Sequence, residues 1–144
     1  MSDPLTTTIP TVSATAAQVV LAAASTTAAE LDAPSTIVVV DAHGLLKAMI
    51  RMDGAPLIGV DLARQKAYTC VAMGGRDTAQ LAQAIAGNAQ VLAALTSLPD
   101  VAVLSGGAPL LVDEVPVGAV GVSAPSGGAD IKIAEAAVAA FGTR

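Results

Sequence analysis

Composition and charge place this chain among globular proteins of one domain that have a core of small residues. The sequence has 144 residues, of which 53% are hydrophobic and 13% are charged, whereas about 25% charged residues is typical. It contains one Tyr, one Phe and no Trp, so the core must be packed from aliphatic side chains. A surface with so few charges favours association of subunits, and we expect a homo-oligomer.

The charge balance and the single cysteine exclude several classes of protein. The net charge is −5, and the seven basic residues are scattered, whereas nucleic-acid binding needs clustered Lys and Arg. Cys70 is the only cysteine, which rules out an internal disulfide and Cys/His metal spacing, and we expect it to be a core residue. The N-terminus lacks a basic signal region, and the uncharged stretches 4–29 and 78–99 are too polar to span a membrane. We therefore expect a cytoplasmic protein that binds neither membrane nor nucleic acid.

The first half of the chain predicts a helix, a strand hairpin and a second helix. Residues 1–12 are rich in Thr and Pro and are expected to be a loose segment before one domain at 13–144. A helix is predicted from a cap at Ser13 or Thr15 to Glu30 or Leu31, because its apolar positions recur at spacings of three and four. Two strands follow at 37–41 and 45–52, joined by a glycine turn, and a helix is predicted at 58–73.

The second half predicts two short helices, three strands and a last helix. The short helices run to residues 86 and 96, after caps at Asp77 or Thr78 and at Asn88. The strands are predicted at 101–104, 109–112 and 115–122, and the last helix at 130–141. Hairpins rather than parallel crossovers indicate an α+β fold, with a mainly antiparallel sheet and the helices on one face.

Five segments carry a family resemblance. They are IVVVDAHG (37–44), RMDGA (51–55), ARQKAYT (63–69), GGAPL (106–110) and VGAVGVS (117–123). Together and in this order they resemble the GlcG/HbpS family, over about residues 14–141. The resemblance implies a profilin-like domain with a sheet of about five antiparallel strands flanked by helices, assembly as a homo-oligomer, and haem binding as in several members. The chain departs from the family pattern at His43, where a small residue is more common, and in the altered loop 124–128.

His43 and Asp41 are the candidate catalytic residues, and His43 is also the candidate metal ligand. His43 is the only histidine, and an imidazole titrates near neutral pH and ligates iron well. Asp41 lies two residues earlier, so in an extended segment both side chains project to one face. The carboxylate is then placed to orient the imidazole or to act as its acid/base partner. The alternative is a histidine that is simply exposed at a hairpin turn.

Five further residues are candidates for ligand binding. Arg51 suits a carboxylate held by two hydrogen bonds, or fixes its own turn. Lys66 suits an anionic ligand or a haem propionate, or covers apolar surface with its stem. Tyr68 suits iron or a hydrogen bond to a ligand, or is a buried tyrosine with a satisfied hydroxyl. Gly106 and Gly107 allow a ligand to approach the backbone, or allow a strand to bend.

Three functions fit these residues. The first is a small-molecule-binding protein of the GlcG/HbpS kind that holds haem or a small anionic ligand in a pocket between subunits. His43 or Tyr68 would then ligate the iron, and Lys66 and Arg51 would bind carboxylates. The second is an isomerase, hydratase or lyase that moves protons on a small carboxylate or carbonyl substrate with Asp41 and His43. The third is an oligomeric scaffold without a ligand.

Overall fold

The computed structural model describes residues 3–142, which form five helices and four strands. In chain order the elements are α1 (Ala14–Glu30), β1 (Thr36–Asp41), β2 (Leu46–Arg51), α2 (Gly59–Ala72), α3 (Thr78–Ile85), α4 (Ala89–Thr96), β3 (Gly107–Val112), β4 (Val115–Ser123) and α5 (Ala129–Gly142). The strands form one antiparallel sheet in the order β2-β1-β4-β3. The α+β class, the antiparallel sheet and the five helices are confirmed.

Helices cover both faces of this sheet, so the prediction that they share one face was wrong. Ile37 and Val39 of β1 pack with residues of α1 and α5, while Val38 and Val40 pack with residues of α2. All four side chains are fully buried. The run of consecutive β-branched residues in β1 is what a strand buried on both faces requires, because neighbouring side chains point to opposite faces.

The sheet has four strands within residues 3–142, and the strand expected at 101–104 is absent. In that segment the Ala102 N–H donates to Thr69 Oγ1 at 2.9 Å, and the Val101 N–H donates to Leu98 O at 3.3 Å. A side chain of α2 and a local turn therefore satisfy backbone groups that a neighbouring strand would otherwise have bonded. The expectation of about five strands was wrong for this reason.

The end of the N-terminal segment is tied to the sheet. Val12 is buried and its N–H donates to Val117 O at 2.8 Å, while Thr11 Oγ1 accepts from the Ala42 N–H at 3.0 Å. Residues 3–10 are exposed and have no regular secondary structure. No helix among the described residues is both long and apolar enough to cross a membrane.

Candidate functional site

The turn between β1 and β2 is organised by the carboxylate of Asp41. Its Oδ1 accepts from the backbone N–H of His43 at 2.9 Å and of Leu45 at 3.1 Å. Gly44 closes the turn with a φ of +79°, a conformation that glycine adopts without strain. The His43 side chain is exposed. Asp41 therefore holds the backbone of the turn, and the only hydrogen bonds of its carboxylate among the described residues are with backbone N–H groups.

Tyr68 of α2 packs its ring against this turn. A Cβ placed on Gly44 would lie 2.9 Å from Tyr68 Cδ2 and 3.3 Å from Cε2. Such closeness is possible only because residue 44 has no side chain. The fold thus brings the single phenol of the sequence beside the turn that carries its single imidazole.

A cavity of about 330 Å³ lies next to Tyr68, between α2 and the segment 95–101. Its lining residues are Tyr68, Thr69, Ala72, Met73, Leu95, Leu98, Pro99, Asp100 and Val101. The lining is mostly aliphatic, and Asp100 contributes its one carboxylate. That carboxylate is paired with Arg64 at 2.9 Å, in a half-exposed position.

Lys66 lies in a different environment from Tyr68, although both belong to α2. Its side chain is buried, and its Nζ donates to Val122 O at 2.8 Å and to Asp130 Oδ2 at 3.1 Å. The ion pair joins α2 to the first turn of α5, and the hydrogen bond to Val122 O joins α2 to the end of β4. The ammonium of Lys66 therefore makes its hydrogen bonds inside the protein.

Gly106 lies beside the carboxylate of this buried ion pair, and Gly107 lies beside the backbone of Lys66. A Cβ on Gly106 would lie 2.6 Å from Val122 O and 3.2 Å from Asp130 Oδ2, and Gly106 has a φ of +110°. A Cβ on Gly107 would lie 2.6 Å from the Lys66 carbonyl oxygen. The Gly107 N–H is itself used, because it donates to Thr78 Oγ1 at 2.8 Å. Close packing of the backbone is thus what both glycines provide in this structure.

Arg51 lies at the opposite end of the hairpin from His43. It pairs with Thr36, the first residue of β1, and its guanidinium donates to Ala55 O at 3.2 Å. Asp41 ends the same strand, roughly 17 Å away at ~3.3 Å per residue. The sequence candidates between Asp41 and Lys66 therefore do not form one cluster. Tyr68 lies against the turn that contains His43, whereas Arg51 and Lys66 lie elsewhere.

Three residues of these sites were not found from the sequence, namely Asp130, Arg64 and Asp100. Asp130 was seen only as the start of a helix, and nothing local points to a partner on α2. Arg64 and Asp100 are likewise distant in sequence. No group of three or more His, Cys, Asp or Glu side chains that could hold a metal ion occurs in residues 3–142.

The model of a protein family described as "haem degrading protein HbpS-like" matches residues 12–139 of this chain. The chain belongs to the HbpS-like family. Among curated proteins, it is 32% identical over 136 residues to an uncharacterized 15.0 kDa protein of the dhaT-dhaS intergenic region of Citrobacter freundii, covering 92% of this chain and 94% of that protein. It is 34% identical over 115 residues to the corrinoid adenosyltransferase PduO of Salmonella typhimurium, covering 79% of this chain but 34% of PduO. This HbpS-like chain thus spans about a third of the length of PduO.

Solved structures of similar proteins share the fold of this HbpS-like chain. A PduOC:heme complex superposes with a TM-score of 0.82 at 32% identity, covering 90% of this chain and 94% of that one. A crystal structure of HbpS superposes with a TM-score of 0.85 at 29% identity, covering 96% of each chain. The recognition from sequence of a GlcG/HbpS-like protein is confirmed.

Proposed function

We propose that this HbpS-like chain binds haem on the surface formed by the β1–β2 turn and Tyr68, with His43 or Tyr68 as the axial ligand of the iron. The observation that supports the proposal is the packing of the Tyr68 ring on Gly44, which brings the only phenol of the sequence beside the turn that carries the only imidazole. Histidine and tyrosine are both established ligands of haem iron. A single axial side chain is sufficient to ligate haem iron, so a cluster of metal ligands is not needed.

The similarity to a structure solved as a PduOC:heme complex supports haem as the ligand. Bound haem supplies an iron centre, and the chain supplies an axial ligand and an apolar surface. The two cations expected from the sequence to bind carboxylates, Lys66 and Arg51, have no role in this proposal. Lys66 is engaged with Asp130, and Arg51 lies at the far end of the hairpin.

The exposure of His43 suggests that a second subunit completes the site. Leu45, Leu46 and Met49 follow the turn and are 64%, 56% and 38% exposed. A flat apolar ligand seated on one chain keeps its outer face in water, whereas burial of both faces is more favourable. We therefore include a homo-oligomer in the proposal, with the haem between two copies.

Proton-transfer catalysis by Asp41 and His43 gains no comparable support. The Asp41 carboxylate is used by the backbone of the turn, and the imidazole faces solvent.

The test is a titration of the purified full chain with hemin, followed by the Soret absorbance. We expect a saturable shift that His43→Ala or Tyr68→Phe weakens at least tenfold. The absorption and EPR spectra of the complex distinguish an imidazole ligand from a phenolate. Arg51→Ala is the matched control, because it removes a polar side chain at the other end of the same hairpin, and it should bind hemin as the unchanged chain does. Unchanged binding by the double variant His43→Ala/Tyr68→Phe would overturn the proposal.

A further inference from the structure

The cavity between α2 and the segment 95–101 has features of a second, separate ligand site. Its volume of about 330 Å³ lies near the lower end of the range of ligand pockets, roughly 300–1,000 Å³. Its aliphatic walls come from Ala72, Met73, Leu95, Leu98, Pro99 and Val101. No residue of α4 is buried, and Leu98 is 51% exposed. An aliphatic ligand would remove this apolar surface from water.

The polar groups of the cavity determine what kind of head group fits. Thr69 Oγ1 is already used, because it donates to Gln65 O at 2.7 Å and accepts from the Ala102 N–H at 2.9 Å. The Tyr68 hydroxyl has no hydrogen-bond partner within the part of the chain that the structure describes. Asp100 offers carboxylate oxygen, of which Oδ1 is bonded to Arg64. The hydroxyl of Tyr68 and a carboxylate oxygen of Asp100 are therefore the polar groups of the lining residues that a ligand could bond.

The charge at this position is balanced, because Arg64 neutralises Asp100 at 2.9 Å. An anionic or cationic ligand would lose hydration there without gaining an unpaired counter-charge. A hydroxyl group both donates and accepts hydrogen bonds, so it can accept from Tyr68 and donate to Asp100. We propose that this cavity binds a neutral aliphatic molecule of a few carbon atoms that carries a hydroxyl group. The site does not depend on haem binding, although Tyr68 borders both surfaces.

Three probes of equal length test the proposal: 1-butanol, butyrate and butylammonium, each titrated into the haem-free full chain and followed by amide chemical shifts. We expect 1-butanol to give saturable shifts confined to residues 68–73, at the end of α2, and to the segment 95–101. Butyrate and butylammonium should bind at least tenfold more weakly. Shifts that are linear in concentration and spread over the chain, or tighter binding of either ion, would overturn the proposal.

Two sets of variants make the test specific. Ala72→Phe fills the cavity from an exposed position and should abolish the localised shifts, whereas Ala93→Phe, exposed on α4 and outside the lining, should not. Asp100→Ala leaves Arg64 unpaired and should reverse the preference towards butyrate, and Arg64→Ala should reverse it towards butylammonium. His43→Ala should leave 1-butanol binding unchanged, which separates this site from the haem site. Retention of the 1-butanol shifts in Ala72→Phe, or of the neutral preference in both charge variants, would contradict the assignment.

Discussion

Lys66 Nζ lies 3.1 Å from Asp130 Oδ2, and only 5% and 11% of the two side chains is accessible to solvent. The same ammonium donates to Val122 O, so one side chain of α2 holds the end of β4 and the beginning of α5. Two charges taken out of water stabilise a fold only while both are present, because either one alone has neither hydration nor a partner. The pair therefore fixes how three elements meet.

Removal of one partner should be costly. We expect Asp130→Ala to lower the free energy of unfolding by about 3–5 kcal/mol, because it leaves the Lys66 charge buried and unpaired. Urea denaturation measures the change. Glu135→Ala is the matched control, since Glu135 is an exposed carboxylate on the same helix, and it should change stability by no more than about 0.5 kcal/mol.

The double variant Lys66→Met/Asp130→Leu removes both charges of the pair instead of one. Both charges are then replaced by apolar groups of similar size, and we expect most of the loss seen in Asp130→Ala to be recovered. If Asp130→Ala alone costs under ~1 kcal/mol, the pair is not the structural element described above.

Gly44→Ala should destabilise the fold through the ring of Tyr68. The new Cβ would lie 2.9 Å from Tyr68 Cδ2, and residue 44 has a φ of +79°. Gly74 has a φ of +78° with nothing within 4 Å of an added Cβ, so Gly74→Ala carries the backbone strain alone, about 1–2 kcal/mol. We expect Gly44→Ala to cost at least ~1 kcal/mol more, from the forced displacement of the ring. Tyrosine fluorescence should change in Gly44→Ala only, and equal stabilities of the two variants would show that the ring contact is not tight.

Local sequence patterns were sufficient to predict the helices and the four strands that form, since each has its own periodicity or its own cap. They failed at residues 101–104, where Val101 and Val103 favour a strand. There the Thr69 hydroxyl binds the Ala102 N–H, and a tertiary contact overrides the local preference. The sequence pattern of that segment does not indicate that Thr69 of α2 is its hydrogen-bond partner.

The candidate site residues were grouped by closeness in sequence, and the fold does not keep all of them close in space. An antiparallel hairpin returns the chain to its starting end, so Arg51 lies beside Thr36 and far from the turn. This consequence follows from the predicted hairpin itself. The pairing of Lys66 with Asp130 could not be found in this way, since the partners are on different helices and 64 residues apart.

Gly121 is the position where a methyl group should do the most damage. A Cβ there would overlap the Ala63 carbonyl oxygen and lie 2.7 Å from the Ala67 amide nitrogen, so β4 and α2 would have to separate. Overpacking of a core typically costs about 1–3 kcal/mol and occasionally more, and we expect Gly121→Ala to reach or exceed the upper value because backbone atoms cannot rotate away. Gly127→Ala, in a loop with nothing within 4 Å, is the control and should stay within about 0.5 kcal/mol. Thermal and urea unfolding compare the two, and similar values would mean that α2 lies further from β4 than described.

Cys70 should be unreactive in the folded protein. Burial in the core and, to a smaller extent, the Asp77 carboxylate together raise the pKa of its thiol from an ordinary value of 9.0 to about 12. Because the thiolate is the reactive form, we expect no labelling by a disulfide reagent at about pH 8 until the chain unfolds, and complete labelling in urea.

The raised pKa of Cys70 also predicts how stability depends on pH. The folded state retains the thiol proton more tightly than the unfolded state does, so this contribution is complete below pH 9.0 and is lost as the pH rises towards about 12. The loss should be smaller in Asp77→Asn, because that change removes the negative charge that disfavours the thiolate while an asparagine still caps α3. Cys70→Ala should abolish this part of the alkaline loss altogether. Urea denaturation at a series of pH values from neutral upward measures it, and an alkaline loss of the same size in Cys70→Ala would show that the thiol does not contribute.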